Sequence, residues 1–488
     1  MLKEYVLMLV YSGNNLKKQV ESLKQSAMAL TGLNEVYERD FVDFIRKHCF
    51  GGEAQQIYIV CGMRATGKTF GLLQAVEDFN DTIYIRAQRD EPETGRDYIE
   101  YLRNVEQKNI IIDEYSWIKD NRDLSYYLWT LAENGKRVAI TGTHSLALDY
   151  LENGELIHRA FRINVNLFTY EEFCRIYQKD YSTNSCIEFL KTGGIFKEYA
   201  LNSFNDMTKY IQEAVIDDLA KFMKLSDAEA KAIVYDIMYL AVCDSSEEKI
   251  KYPQARKENA EYRAMLTNFG IDPTVEITPF KFKAASEILE KAEFIVKTYN
   301  IANTEEYRLH LVNPSLTYQM VSAVFNDISA ERCLGKAFEA CVVTFMSACT
   351  KTEDYIWYAD MGQRIGKPEL EVVIVNPDDH LVYLFDAKME EGARLQQKSS
   401  LVSDELEGIF TGADIGGRYV ICNTPTEKCG ERNGKKVIFT RLDCDTLYDY
   451  RQFDDIYERL SDGIDNTNVF AEASNEQQVT NSRECDIM

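Results

Sequence analysis

The sequence predicts an α/β fold: a buried parallel sheet covered by helices, followed by a second α/β unit. Two observations predict it. The short β-branched runs IYIV (57–60), TIYIRA (82–87), NIIID (109–113), RVAIT (137–141) and FRINVNLF (161–168) alternate with amphipathic segments, as strands buried on both faces do. A further set of such runs, ELEVVIV (369–375), LVYLFDAK (381–388) and GRYVICN (417–423), lies near the C-terminus after an apolar helical stretch at 331–349.

The elements follow in order. Residues 1–50 read as helical, with apolar side chains of VYERDFVDFIRKHCF (36–50) at helical spacing. The strand–helix alternation fills 51–175, and a helix-rich stretch at 176–245 includes YIQEAVIDDLAKFMK (210–224). Within 246–325, Thr278-Pro279 opens an amphipathic helix, KFKAASEILEKA, and 294–313 reads as a β-hairpin. A helix followed by a two-stranded wing predicts a winged helix. The second α/β unit occupies 326–455, and 456–488 reads as a disordered acidic tail.

Composition narrows the function classes. The 488 residues are 45% hydrophobic and 27% charged, as in globular domains. A net charge of −24 repels phosphate backbones at long range and argues against generic nucleic-acid affinity. The run YVLMLVY (5–11) is too short to span a bilayer and lacks a signal-peptide cleavage site. Twelve cysteines without a CxxC pair and five scattered histidines predict reduced thiols in a cytoplasmic protein with no membrane partner.

The chemistry starts at Gly62-Met63-Arg64-Ala65-Thr66-Gly67-Lys68-Thr69, which matches G-x-x-x-x-G-K-[ST] between an expected strand and an expected helix. The glycines turn the backbone so that amide N–H groups face phosphate oxygens at a helix N-terminus. Lys68 is assigned to the β- and γ-phosphates of ATP and Thr69 to Mg²⁺. Magnesium also needs a carboxylate from a neighbouring strand end, and NIIIDEY (109–115) supplies Asp113 for the metal shell and Glu114 to polarise the attacking water. RVAITGTHS (137–145) ends in polar residues; Thr143 is the candidate γ-phosphate sensor, with His144 and Ser145 as alternatives. Arg159 and Arg162 are candidates to reach a neighbouring subunit's phosphate.

GMRATGKT, NIIIDE, ITGTHSLAL, HRAFRINVNLFTYEEF (158–173) and LKTGGIF (190–196) together resemble a family of bacterial and archaeal AAA+ ATPases with a C-terminal nuclease-like domain. The likeness runs well over about 40–330 and loosely over 331–450. It implies a five-stranded nucleotide-binding core, a helical lid, a winged-helix module and a restriction-endonuclease-like C-terminal domain.

Nucleases of the PD-(D/E)xK type hold a metal between carboxylates on adjacent strands, with a lysine orienting water. The candidates are Glu371, Asp386 and Lys388, with Glu339 on the preceding helix. The first metal position departs from the pattern, being Glu371 where the family has Asp, with Glu369 two residues earlier. KIKYPQARK (249–257) and Lys281, Lys283 and Lys291 form a weak basic surface mixed with Glu287 and Glu290. Two functions therefore stand. One is an ATPase moving its winged-helix and nuclease-like domains on DNA. The other is a nucleotide-dependent switch that binds a protein partner, or itself through the AAA+ core, with an inactive C-terminal cluster.

Overall fold

The computed structural model describes residues 9–31, 36–52, 56–88, 93–142, 156, 158–195, 204–243, 260–325, 328–351, 353–360, 369–389, 398–410, 412–423 and 427–461. Thr143, His144 and Ser145, the basic segment 249–257 and the tail from 462 onward lie outside these residues.

Strands β1 (Leu9–Ser12), β2 (Ile57–Cys61), β3 (Thr82–Arg86), β4 (Asn109–Asp113), β5 (Arg137–Gly142) and β6 (Ala160–Asn164) form one sheet in the order β1-β3-β4-β5-β2-β6. All neighbours are parallel except β1, which runs antiparallel along β3. Residues 1–50 were expected to be helical throughout. Instead Leu9–Ser12 is an edge strand, because Val10 faces Ile85 and gains a ladder partner that only the folded sheet provides. In the parallel set, Cys61 lies opposite Gly142 and Asn164, and Arg86 opposite Asp113, so the strand ends share one edge. Ligands collect at such an edge in α/β sheets.

Each face of this sheet buries its own apolar cluster. Ile57, Ile59, Ile110, Ile112, Val138 and Ile140 pack on one. Val60, Ile111, Ala139, Leu72 and Val42 pack on the other, beneath helices Asp40–Ile45 and Lys68–Ala75. These two helices cross closely at Gly71, where an added Cβ would lie 2.2 Å from Cζ of Phe41.

Helices Thr183–Thr192, Phe204–Ile211 and Asp227–Val242 occupy the stretch expected to be helical, and helix Pro279–Lys291 precedes strands β7 (Ile295–Asn300) and β8 (Asn303–Leu311). The hairpin is present, but it is not a free wing. Tyr299 of β7 pairs in parallel with Trp357 of β9 (Tyr355–Asp360), which makes the hairpin the margin of a second, eight-stranded sheet. Its order is β13-β14-β12-β11-β10-β9-β7-β8, with β10 Glu369–Asn376, β11 Leu381–Lys388, β12 Asp414–Cys422, β13 Lys428–Arg432 and β14 Lys435–Arg441. Helix Pro279–Lys291 also shares one apolar core with helix Asp227–Val242 through Leu289, Ile233 and Met238. Helix Phe453–Ser461 runs on into the segment expected to be disordered, because Phe453, Ile456 and Tyr457 are buried against the second sheet.

Candidate functional site: a phosphate loop facing an acidic strand end

The loop between β2 and helix Lys68–Ala75 is shaped by backbone that only certain residues tolerate. Gly62 has φ +149°, and a Cβ there would sit 2.2 Å from the carbonyl oxygen of Val165. Gly67 adopts the left-handed conformation, and Thr66 Oγ1 donates to the Met63 carbonyl at 2.9 Å. The buried Lys68 ammonium donates across the loop to the carbonyls of Gly62 (2.8 Å) and Met63 (2.6 Å). Burial pushes its pKa down to about 8, against the opposing pull of Glu114 and Asp113.

Asp113, at the end of β4, is buried. It accepts from Thr69 Oγ1 at 3.0 Å, from Tyr84 Oη at 2.6 Å and from the backbone N–H of Glu114 at 3.1 Å. Glu114 leaves the strand with φ +58°. Burial, then the adjacent Asp113, raises its pKa above the usual carboxylate range. Lys68, Thr69, Asp113 and Glu114 thus converge at one sheet edge.

Several site residues escaped the sequence reading. Thr141 follows Ile140, which pairs with Ile112, so it lies beside Asp113 on the neighbouring strand. Its hydroxyl is fully buried without a hydrogen-bond partner among the described residues. The alternation of Val138 and Ile140 against Ala139 was the available signal for placing Thr141 on the same face as Ile111. Tyr84 was also missed. Arg64 pairs with Glu213 at 3.2 Å, and Tyr210 Oη donates to its carbonyl at 3.3 Å. Arg159 lies over the Trp129 ring at 3.7 Å, and Arg162 donates to Asn164 Oδ1 at 2.7 Å, so both make contacts within this chain.

The donor set fits a magnesium nucleotide. The Thr69 hydroxyl and the Asp113 carboxylate are hard oxygen ligands, and the Thr141 hydroxyl beside them is buried with no hydrogen-bond partner among the described residues.

In the second sheet, Glu371 is one step beyond the Val372–Phe385 pair and so lies opposite Asp386. Lys388 Nζ is 3.0 Å from Asp386 Oδ1 and 3.5 Å from Glu371 Oε1. Burial opposes the Lys388 charge, yet Glu371, Asp386 and Glu339 outweigh it and raise its pKa. Burial, then Asp386, pushes Glu371 up to about 7. Glu339 is paired with Lys336 at 2.9 Å, and Glu369 with Arg308 at 2.7 Å. Among the described residues, no three His, Cys, Asp or Glu side chains form a group able to hold a metal ion. Of the three lysines on helix Pro279–Lys291, Lys281 is tied to Glu229 at 2.5 Å.

Fold and loop together define a nucleotide-binding α/β domain of the P-loop class. Residues 54–174 match the model of a family described as an AAA domain. No curated protein matches the chain. Solved structures overlap it loosely. S. cerevisiae Hsp104 in complex with casein aligns at 12% identity and TM-score 0.28, over 48% of this chain and 49% of that one. The Thermotoga maritima RuvB Holliday junction branch migration motor aligns at 14% and 0.23, over 58% and 89%. Drosophila ORC bound to DNA aligns at 11% and 0.25, over 61% and 91%. This chain spans about half the length of the Hsp104 chain, and likenesses this loose transfer no role. No helix among the described residues is long and apolar enough to cross a membrane.

Proposed function

We propose that the chain is an ATP-hydrolysing AAA+ protein whose nucleotide state is passed to its lid and second sheet, and through them to a protein partner or a second copy. One observation carries this reading: a buried Lys68 whose contacts are carbonyls, beside the Thr69–Asp113 pair. Magnesium, held by Thr69 and Asp113, would supply charge neutralisation at the phosphates. Lys68 adds positive charge toward the same oxygens. Glu114, its pKa raised by burial, is placed to orient water and take its proton. Arg64 and Tyr210 join the loop to helices that share a core with the hairpin. That is the route by which the loop's state reaches the rest of the chain.

The Glu114→Gln variant tests this reading. It should bind ATP like the parent and hydrolyse it about 100-fold more slowly or worse. Parent-like turnover would remove Glu114 from its role.

The second reading, phosphodiester cleavage at Glu371, Asp386 and Lys388, is favoured by one observation: the buried Oε2 atom of Glu371 has no hydrogen-bond partner among the described residues. Lys388 is paired with one oxygen of each carboxylate, and cleavage would require a metal to bind beside it. Incubating linear DNA with Mn²⁺, with Asp386→Ala as control, decides between the two. Cleavage abolished by the substitution supports the nuclease, and intact DNA supports the switch.

A further inference from the structure

The segment before helix Asp40–Ile45 contains a buried cation with no part in the chemistry described so far. Arg39, 8% exposed, sends its planar fork in two directions. Nε and Nη2 donate to the two carboxylate oxygens of Glu172 at 2.9 and 2.8 Å. Nη1 donates to the carbonyl of Thr66 at 2.7 Å and to that of Asn166 at 3.0 Å. The guanidinium carbon lies 4.8 Å from the centre of the Phe168 ring. Glu172 is itself buried and fixed. It sits in the first turn of helix Tyr170–Ile176, whose Thr169 cap accepts from its backbone N–H at 3.1 Å.

We propose that Arg39 is a positioning residue for the phosphate loop and that Glu172 holds it in place; the claim rests on the ATPase reading above. The peptide joining Thr66 to Gly67 is planar and trans, so its C=O and N–H point in opposite directions. Arg39 draws the Thr66 carbonyl out of the loop, which turns the Gly67 N–H inward, toward the space a phosphate would occupy. Gly67, in the left-handed conformation at the start of helix Lys68–Ala75, lacks the side chain that would otherwise restrict this peptide. A free loop would sample both orientations, and only the inward one binds. The clamp therefore raises the fraction of chains ready for nucleotide. Arginine is required because a planar fork serves a carboxylate and a carbonyl together, whereas a single ammonium serves one well. A buried ion pair is by itself a poor source of stability, so geometry is the more informative readout.

The experiment compares the full chain with Arg39→Lys and Glu172→Gln. It measures the affinity for a magnesium-bound non-hydrolysable ATP analogue by calorimetry, KM and kcat for ATP, and thermal unfolding. Arg39→Lys should weaken analogue affinity and raise KM together by about tenfold or more, with kcat within about threefold of the parent. Glu172→Gln keeps the shape but weakens the grip, and should shift both in the same direction by less. If the parent binds no analogue, the ATPase reading fails and the clamp fails with it. If the parent binds and Arg39→Lys matches its affinity while only the melting temperature falls, the clamp is structural and the proposal alone is overturned. Should Arg39→Lys not fold, the proposal stands or falls on Glu172→Gln: weakened affinity supports it, and parent-like affinity overturns it.

Discussion

The first and second sheets each bury a lysine beside two carboxylates at a strand end, and the two lysines behave oppositely. Lys68 donates to the loop carbonyls of Gly62 and Met63, and burial lowers its pKa to about 8. Lys388 is an ion partner of both Glu371 and Asp386, which raise its pKa despite burial. Neutral carbonyls only partly compensate a buried ammonium, which leaves Lys68 electrostatically receptive to an anion. Two carboxylates compensate Lys388, and Glu371 Oε2 has no hydrogen-bond partner among the described residues. On the proposed reading, the same residue types make a binding site beside one sheet and an ion-paired lysine in the other. The geometry of the lysine decides which.

Three substitutions would break or sharpen this contrast. The largest effect is expected for Asp113→Ala, which removes the partner shared by Thr69 and Tyr84. Steady-state ATP turnover should fall by about 100-fold or more, and turnover within a few-fold of the parent would mean the first cluster is as closed as the second. Asp386→Ala should leave turnover nearly unchanged. It removes one arm of a buried ion cluster, so denaturant unfolding should show a loss of roughly 3 kcal/mol. Lost turnover with unaltered stability would reverse the roles assigned to the two sheets.

The smallest effect concerns Asp443, buried where the second sheet meets helix Tyr170–Ile176. Its carboxylate accepts the Glu171 N–H at 3.0 Å. Burial pushes its pKa from 3.8 up to about 7. Between those values the folded chain keeps a proton that the unfolded chain has released, so this group's contribution to stability falls as pH rises through that window. Asp443→Asn removes the effect. Its unfolding free energy should decline less than the parent's between pH 4 and 7, by roughly 2 kcal/mol. Parallel pH curves would show that Asp443 does not titrate there.

What the sequence disclosed was local. The runs at 57–60 and 109–113 announce strands because unbroken β-branched residues suit burial on both faces, and LVYLFDAK matches β11 residue for residue. The loop was legible because its glycines and lysine are contiguous. What escaped depends on distant partners. Leu9–Ser12 is a strand only because β3 lies beside it. Arg39 acquires its role from Glu172, 133 positions away. The hairpin was legible, whereas its union with β9 was not, since that pairing spans residues 299 to 357. Spacing placed Glu371 near Asp386 but carried no word on Lys388 bridging both. Thr143 drew attention by its polarity, while Thr141, the buried orphan beside Asp113, was hidden inside an apolar run.

The central claim is that Lys68 stands ready for a triphosphate, and calorimetric titration of the full chain with magnesium and a non-hydrolysable ATP analogue tests it most directly. Saturable one-to-one binding is expected in the parent, weakened by about 100-fold or more in Lys68→Ala. Absent binding in the parent, or equal affinity in the variant, would contradict it.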